Sequence, residues 1–557
     1  MEKIWLKNYP EEVPESVEYP EVPMHYYLDE AASEYPDKVS MIFVDKKITY
    51  KQFREDVLRL AQALLDLGIK KGDRVSVFMP NCPQAVISYF AVLKIGGIVV
   101  ESNPIYVERE LEYQLTDAGV ETVVTLDMKM LYPKVKAVRD RTEVKTVIVS
   151  SLKEYLPFPK NVLYPVAKRK DVVKVEREKG VYFFKELLQK YPPEEVQAEV
   201  NPDDCAVLLY TGGTTGVPKG VMLTHKNLVS NCVQGIKWLY EAEYANEVVM
   251  AALPVFHSFG HTCCMNFSVY AACTLILIPD PRNTKDILRN VENHKATMVP
   301  GVPAMYVNML NYPRMKDYDL SSVKYCFSGA APMPVEVLEE FERVTGGLIL
   351  EGFGMTETSP VTHINPMVGE RKVGSIGMPI LDTLAKVVDV ETGEIELAAG
   401  EVGELIVKGP QVMKGYWNSP QETGKVLKNG WMYTGDLATM DEDGFFFIVG
   451  RKKDMIISSG FNVYPREIEE VLFEHPAVKE ASVIGVPHEK RGETVKAFIV
   501  LKEGETATAE EIRQFCKKNL AAYKVPTFVE FRKKLPKTMV GKVLRRELRE
   551  EEKKAKK

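Results

Sequence analysis

The stretch AVLLYTGGTTGVPKG, residues 206–220, decides how the rest of the chain is interpreted. An apolar run of strand length ends in a loop rich in glycine and threonine, and a helical pattern begins near Thr224. Glycines allow close backbone approach to phosphate oxygens, and Lys219 adds a positive charge. The spacing is not that of a Walker A loop. A phosphate-binding loop is one interpretation, and a mobile surface loop is the other.

The alternation of a short apolar run and an amphipathic stretch recurs up to residue 450. One helix is predicted over 51–66, and Gly68 ends it. Further apolar runs of strand length lie at 74–81, 122–127, 274–280, 297–303 and 323–330. Runs of this length between helical patterns predict buried strands of α/β units.

The pattern changes after residue 380, where short strands and Gly turns predict a small β-barrel. After GRKKD (450–454) a compact α+β pattern follows, with a helix near 508–520 whose capping box is Thr508 and Glu511. The predicted fold class is therefore α/β. A large N-terminal domain of α/β subdomains plus a small β-barrel is followed by a small α+β C-terminal domain.

Composition limits the function classes. The 557 residues are too many for one hydrophobic core, and a net charge of -6 gives no overall attraction to nucleic acid. The eight cysteines show no CxxC spacing, so we expect reduced thiols in a cytoplasmic protein and no structural zinc. No apolar run reaches the ~20 residues of a membrane span.

The segment LPFPKNVLYPVAKRKDVVKVEREKG (156–180) combines aromatic and aliphatic residues with clustered Lys and Arg. Apolar side chains beside basic ones suit an anionic membrane surface, so peripheral contact at the inner face of the membrane is one expectation. A solvated surface insertion is the alternative.

Further motifs are PVFHSFG (254–260), FSGAAPM (327–333), EGFGMTET (351–358), YTGDLA (433–438), SSGFNVYPREIEEVL (458–472) and LPKTMVGKVLRR (535–546). Alone, each has an ordinary interpretation. Residues 327–333 fit any tight turn, and Glu357 fits a solvated loop carboxylate. Asp436 fits a turn aspartate, His257 a hydrogen-bonded core histidine and Lys542 a surface lysine. The G-x-S-x-G elbow of serine hydrolases is absent from the sequence.

Together these motifs resemble those of the adenylate-forming superfamily, in the order of that family, from ITYKQF (48–53) to GKVLRR (541–546). This superfamily includes acyl-CoA synthetases, plant coumarate ligases, firefly luciferase and peptide-synthetase adenylation domains. The resemblance implies that a carboxylate attacks the α-phosphate of MgATP and that the thiol of coenzyme A then displaces AMP. ATP, Mg²⁺ and coenzyme A are the implied cofactor and co-substrates.

The resemblance also implies the site residues. The implied ATP-binding residues are Thr211, Gly212, Gly213, Thr214, Thr215, Gly216, Lys219, Gly329, Ala330, Ala331, Glu351, Gly352, Phe353, Gly354, Met355, Asp436 and Arg451. By resemblance, 329–331 lie against adenine, Phe353 stacks on it, and Asp436 with Arg451 binds the ribose.

Three catalytic residues are implied: Thr356 at the α-phosphate, Glu357 as the Mg²⁺ ligand and Lys542 as the lysine of the adenylation step. His257 is expected to line the acyl-substrate pocket, and Gly460 is expected near the pantetheine of coenzyme A.

The resemblance implies two domains joined by a hinge. Residues 1–450 form the adenylation domain, 451–455 a hinge with Lys453, and 456–557 a mobile C-terminal domain. Lys542 and the 458–465 loop would then serve different steps after a rotation about the hinge.

The N-terminal half, with PNCPQAVISYF and GGIVVESNPIYVERELEYQL, looks most like long-chain fatty acid–CoA ligases. A medium-chain or aryl acid–CoA ligase and an enzyme loading a carrier protein are the alternatives. Other classes are an ATP hydrolase or kinase, a catalytically dead lipid-binding relative and a luciferase-like oxygenase. A homodimer is a further expectation, and no nucleic-acid partner is expected.

Overall fold

A computed structural model describes residues 3–212, 218–458, 461–488, 492–538 and 543–555. The chain forms two units. The large unit comprises Asn8–Leu384 and Lys408–Gly430, and the small unit comprises Met1–Lys7, Ala385–Val407 and Trp431–Lys557.

The elements are numbered in chain order. The strands are β1 Val39–Phe43, β2 Lys46–Thr49, β3 Arg74–Phe78, β4 Ile98–Glu101, β5 Thr122–Leu126, β6 Thr146–Ser150, β7 Val181–Phe183, β8 Cys205–Gly212, β9 Pro218–Thr224, β10 Val248–Ala251, β11 Thr274–Leu277, β12 Tyr325–Ser328, β13 Leu348–Gly354, β14 Val361–Ile364, β15 Met378–Pro379, β16 Leu384–Val388, β17 Gly403–Lys408, β18 Gly415–Tyr416, β19 Leu427–Lys428, β20 Trp431–Met440, β21 Phe446–Arg451, β22 Ile456–Ser458, β23 Phe461–Val463, β24 Val478–His488, β25 Gly492–Leu501 and β26 Phe528–Phe531. The helices are α1 Tyr26–Glu34, α2 Tyr50–Asp66, α3 Pro83–Lys94, α4 Glu108–Ala118, α5 Tyr132–Arg139, α6 Lys160–Ala167, α7 Phe184–Lys190, α8 His225–Trp238, α9 Ser258–Gly260, α10 Phe267–Tyr270, α11 Thr284–His294, α12 Pro303–Leu310, α13 Val335–Thr345, α14 Pro420–Val426, α15 Pro465–Phe473, α16 Ala509–Asn519 and α17 Arg545–Ala555. Short 3₁₀ turns lie at Ile4–Asn8, Leu152–Tyr155, Met315–Asp317, Thr356–Thr358 and Lys452–Asp454, and a π-helical turn at His261–Asn266.

The largest sheet of the large unit has the strand order β18-β9-β8-β4-β3-β5-β6-β7. Strands β8, β4, β3, β5, β6 and β7 are parallel, which confirms the predicted α/β class. Their Val- and Ile-rich sequences are buried, because helices cover the faces of a parallel sheet. The carboxyl ends of these strands all lie at one edge of the sheet.

The strand that enters the Gly/Thr stretch is followed by a second strand rather than directly by a helix. Strand β9 runs antiparallel to β8, with Thr211 opposite Lys219. Helix α8 then begins after Thr224, whose side chain accepts a hydrogen bond from Asn227 N and forms a capping box with it. The predicted helix start is confirmed, but the strand before it was not predicted.

Two smaller sheets, β10-β11-β1-β2 and β12-β13-β14-β15, complete the large unit. The predicted strand at 297–303 is reduced to isolated bridges, in which Met298 pairs with Val249 and Tyr325, and Gly301 pairs with Ser328. Pro300 and Pro303 lack the N–H group that a ladder requires, so a regular strand cannot form here.

In the small unit, strands β16, β17, β20 and β21 belong to the antiparallel sheet that occupies the region of the predicted β-barrel. A second sheet, β23-β22-β25-β24 with β26 beside β25, packs with α15 and α16 around a separate core. Helix α16 begins after Thr508 with the predicted capping box to Glu511, and α15 begins at Pro465. Among the described residues, no helix has the length and apolar character needed to cross a membrane.

Buried Asn81 fixes the position of the segment that leads to His257. Its side-chain amide donates to Ala251 O (2.9 Å) and Leu253 O (2.8 Å), and its oxygen accepts from Val255 N (2.9 Å). Asn81 follows β3, and the backbone groups that it binds lie at the end of β10 and just after it. This one side chain therefore connects the largest sheet to the sheet that contains β10.

Replacing Asn81 by alanine removes all three of these hydrogen bonds, and in the part of the chain that the structure describes only Ala251 O keeps a second one, which it accepts from Ile278 N (3.1 Å). We expect Asn81→Ala to destabilise the large unit by about 3 kcal/mol, which corresponds to roughly 4 °C in its thermal midpoint. Differential scanning fluorimetry measures this shift. Asn246→Ala is the matched control, since Asn246 is exposed and bonds only to nearby Glu243. Equal midpoints for the two variants would contradict the role given to Asn81.

Candidate active site

The predicted site residues fall in both units. Thr211, Gly212, Lys219, His257, Gly329, Ala330, Ala331 and the run from Glu351 to Glu357 belong to the large unit, and Asp436, Arg451 and Lys453 belong to the small unit. Gly213, Thr214, Thr215, Gly216, Gly460 and Lys542 lie outside the described residues. Each unit therefore carries its own cluster.

Strands β12 and β13 bring two of the predicted motifs together. They run parallel, with Ser328 opposite Glu351, so residues 329–331 lie beside residues 352–354. A Cβ atom on Gly329 would stand 3.3 Å from the Phe259 ring. The side chains of residues 330 and 331 are methyl groups exposed to solvent. Small, open positions next to a strand end leave room for a planar ring.

Phe353 lies on β13, half-buried, opposite His363 of β14. The two ring centroids are 6.1 Å apart in an edge-to-face arrangement. Burial lowers the pKa of His363 to about 3, so this imidazole is neutral at physiological pH. Phe353 is thus supported on one edge by an uncharged aromatic ring.

The turn after β13 buries Thr356 and Glu357. Thr356 Oγ1 lies 3.2 Å from Ser258 Oγ, which connects this turn to the first residue of α9. Glu357 Oε1 accepts a hydrogen bond from the Tyr416 hydroxyl (2.8 Å), and its carbonyl accepts from Met413 N (2.8 Å). The carboxylate is therefore held in one orientation by residues distant in sequence.

Lys219, the lysine of the hairpin, is placed beside the same tyrosine. Its Nζ forms an ion pair with Glu422 and lies 5.0 Å from the centroid of the Tyr416 ring. Lys219 and then Lys425 hold the pKa of Glu422 at about 2, so Glu422 is ionised. Burial and the Glu357 carboxylate raise the pKa of Tyr416, which keeps its hydroxyl protonated as a donor.

Glu351 acts on the backbone around it. Its carboxylate accepts from Met333 N (3.4 Å) and Gly374 N (3.2 Å), and so connects the FSGAAPM turn to the loop after β14. A cavity of about 250 Å³ is lined by Leu338, Ile349, Glu351, Asn365, Gly369, Arg371, Lys372 and Val373. The structure thus places Glu351 behind the predicted adenine-facing residues, as their support.

His257 is half-buried and caps the short helix α9. The ring Nδ1 accepts a hydrogen bond from the backbone of Phe259 (3.4 Å), and the backbone N–H of His257 donates to Pro254 O (3.1 Å). The imidazole is therefore part of the turn that leads into α9.

In the small unit, Asp436 and Arg451 are cross-strand partners on β20 and β21. Arg451 Nε lies 2.7 Å from Asp436 Oδ1, and Asp436 is almost completely buried. The two side chains predicted to bind one ribose are therefore adjacent.

Two of the residues that follow Arg451 form ion pairs with other elements of the small unit. Lys452 pairs with Glu404 (2.8 Å), and Asp454 pairs with Arg549 of α17 (2.8 Å). Lys453 lies between these two pairs and is exposed. The predicted hinge is thus flanked by ion pairs on both sides.

Sequence reasoning missed Tyr416, Glu422 and Ser258. Each contacts a predicted residue, but Tyr416 and Glu422 lie on a remote segment and belong to no motif that the sequence displays. Only the three-dimensional contact reveals them.

Comparison with known proteins assigns the fold to a class. The AMP-binding enzyme model matches residues 28–417, and the model of the AMP-binding enzyme C-terminal domain matches residues 467–542. The ATP-bound crystal structure of MatB from Rhodopseudomonas palustris is 30% identical, with a TM-score of 0.84 over 97% of this chain and 100% of that one. The chain belongs to the AMP-binding enzyme family.

Two relatives are similar along nearly their whole length. A long-chain-fatty-acid–CoA ligase of Bacillus subtilis is 48% identical over 99% of this chain and 98% of the relative. A long-chain-fatty-acid–CoA ligase of Escherichia coli O157:H7 is 39% identical over the same shares, 99% and 98%. The similarity therefore includes both units.

Among the described glycines of the predicted site, Gly354 leaves the least room for a side chain. A Cβ atom there would stand 2.1 Å from the carbonyl oxygen of Pro360, a backbone atom that cannot move without distorting the turn that carries Thr356 and Glu357. We expect Gly354→Ala to weaken ATP binding at least tenfold, because a misplacement of about 1 Å is that costly. Titration of the thermal midpoint with ATP measures the affinity.

Gly424→Ala is the matched control for this substitution. Gly424 lies in α14, and a Cβ atom there meets no atom within 4 Å. Its ATP affinity should equal that of the parent. If Gly354→Ala bound ATP as tightly as Gly424→Ala, the turn would not form part of the nucleotide site.

Proposed function

We propose that this protein is an AMP-forming long-chain fatty acid–CoA ligase. The observation that supports this function is the sequence similarity to two long-chain ligases, 48% and 39% identical, which extends along nearly the full length of the chain. ATP and coenzyme A are its co-substrates, and an acyl-adenylate is its intermediate.

The chemistry explains why the reaction takes two steps. A carboxylate repels a thiolate and has no good leaving group, so it must first be activated. Attack of the carboxylate oxygen on the α-phosphorus of ATP forms the acyl–phosphate bond and releases pyrophosphate. The thiol sulfur of coenzyme A then attacks the acyl carbon, loses its proton, and AMP leaves. Catalysis consists mainly of positioning and charge stabilisation.

In the large unit, we assign the adenine to residues 329–331 and 351–355, and the phosphates to the hairpin 211–216 with Lys219. The open methyl positions beside Phe353 support the first assignment. The cation of Lys219 and the threonine hydroxyls of the hairpin supply the donors that phosphate oxygens require. In the small unit, Asp436 would accept hydrogen bonds from the ribose hydroxyls, with Arg451 at its side.

Glu357 fits a magnesium ion. Its carboxylate is buried and held by Tyr416, and hard oxygen ligands are those that Mg²⁺ prefers. Across the described ranges no cluster of three or more His, Cys, Asp or Glu side chains could hold a metal, and the eight cysteines are free thiols. Phosphate oxygens and water would therefore complete the ligand set, and the ion would neutralise charge on the triphosphate.

The second step and the domain motion belong to the same proposal. Residues 1–450 form the adenylation domain, 451–455 the hinge around Lys453, and 456–557 a mobile domain. Lys542 would stabilise charge at the α-phosphate in the first step, and Gly460 would lie along the pantetheine path in the second. His257 would line the entry of the acyl group, and Thr356 would contact the α-phosphate.

We further propose a cytoplasmic location with peripheral contact at the inner face of the membrane through residues 156–180, and a homodimeric assembly. The segment 156–180 carries apolar and basic residues together, which supports the first part. The homodimeric assembly is tested by light scattering after size-exclusion chromatography, which measures the molar mass of the protein in solution.

The reaction itself is tested with a panel of acids from acetate to oleate, plus coumarate and benzoate. We expect AMP and pyrophosphate release that depends on both MgATP and coenzyme A and is greatest with long-chain acids. Chelation of Mg²⁺ should abolish it. ADP as the product, or no AMP with any acid, would refute the ligase function, and a maximum at benzoate would refute the long-chain assignment.

Lys542→Ala should separate the two half-reactions. Loss of one positive charge at the α-phosphate should slow acyl-AMP formation by roughly a hundredfold or more. Thioester formation from supplied acyl-AMP and coenzyme A should remain within about threefold of the parent, since that step breaks no bond to pyrophosphate. Lys518→Ala, an exposed lysine on α16, is the control. Equal losses in both steps would contradict the role of Lys542.

A further inference from the structure

Helix α6 presents an apolar face to solvent. Val162, Leu163 and Val166 are exposed over 63, 57 and 78% of their surface, and Phe158, just before the helix, over 82%. Spacings of three and four residues place these side chains on one side. A surface helix normally turns its polar side to water, so the orientation of α6 is the reverse of the usual one.

The helix is held in this orientation at both ends. Before it, buried Tyr155 donates its hydroxyl to Asp56 Oδ2 (2.7 Å). After it, Lys129 N donates to Asp171 O (2.7 Å), so the returning chain pairs with the loop that follows β5. The exposed apolar face is therefore fixed on the scaffold of the largest sheet.

Positive charge flanks the apolar face. Lys168 is paired with Asp171 (3.2 Å) and Lys160 with Asp45 (2.7 Å). Arg169 and Lys170 are exposed, and within the described part of the chain no carboxylate is paired with either. An apolar strip beside two uncompensated cations matches the anionic headgroups and acyl boundary of a phospholipid bilayer.

The position of α6 connects this surface to the site. Helix α6 follows β6, and the nucleotide hairpin follows β8, and both strands end at the same edge of the parallel sheet. Exposed Ile105 follows β4 and exposed Met130 follows β5 at that edge as well. A membrane on this side would face the edge that carries the hairpin.

We propose that Phe158, Val162, Leu163, Val166, Arg169 and Lys170 form a docking face for an anionic phospholipid bilayer. The biological purpose of this face rests on the proposed function, because long-chain acids partition into bilayers and a long-chain ligase would take them up there. Binding to the bilayer itself requires no ATP, coenzyme A or fatty acid.

Flotation with vesicles tests the apolar part of the docking face. The full chain, without ATP, coenzyme A or fatty acid, is mixed with vesicles of phosphatidylglycerol and phosphatidylethanolamine. We expect Val162→Ser/Val166→Ser to lower the partition coefficient roughly tenfold. The control Val344→Ser/Ile395→Ser removes two exposed apolar side chains elsewhere, at 39 and 63% exposure, and should bind as the parent does.

The charged part is tested in the same assay. Arg169→Gln/Lys170→Gln should lower partitioning roughly twentyfold, since each cation near an anionic surface is worth about a factor of five. The control Lys285→Gln/Lys316→Gln removes the same charge from exposed positions elsewhere and should have no effect. Phosphatidylcholine vesicles should bind the parent weakly, and added salt should weaken binding to the anionic vesicles.

The outcomes separate this inference from the ligase function. Equal vesicle binding by the docking-face and control variants, or no binding of the parent, overturns the docking face whatever the enzyme assay gives. Loss of self-association in Val162→Ser/Val166→Ser without loss of vesicle binding would make the face a subunit contact instead. With the ligase active, this variant should lose activity on oleate in vesicles while keeping activity on dissolved octanoate.

Discussion

The parallel pairing of β8, β4, β3, β5 and β6 is the constraint on which the large unit depends. The strands are buried on both faces, so they are rich in Val, Ile and Leu, and the connections between them pass over the sheet as helices. The carboxyl ends of these strands then lie at one edge of the sheet. The polar loops that follow the strands lie at that edge because of the topology, and no local sequence motif is needed to bring them there. For this reason the Gly/Thr stretch after β8 and helix α6 after β6 lie at the same edge of the sheet.

Much of this fold was predictable because it depends on interactions between residues close in sequence. The capping boxes at Thr508 and Thr224 are satisfied by side chains three residues away, so short sequence windows contain the whole interaction. The strand runs at 74–81 and 122–127 consist mainly of apolar residues, which are buried because both faces of the sheet are covered. Resemblance to a family supplied an expectation that no short window contains, namely which glycines and carboxylates would serve one site.

The remainder depends on contacts between distant segments. Strand β9 pairs with β8 across the Gly/Thr stretch, and its residues read equally well as the end of a loop. The run 297–303 has strand composition, but its prolines interrupt the ladder. Tyr416 reaches Glu357 only because β18 pairs with β9 and brings a remote segment to the hairpin. No periodicity in the sequence signals such a pairing.

The ion pair between Lys219 and Glu422 has a consequence for selectivity among cellular anions. Lys219 is already in contact with an ionised carboxylate, which Lys425 also contacts, so any anion that approaches this lysine must compete with Glu422. Coulomb attraction grows with charge, so an anion with several negative charges competes more strongly than a small monovalent one. The pair therefore disfavours occupation of Lys219 by a single small anion.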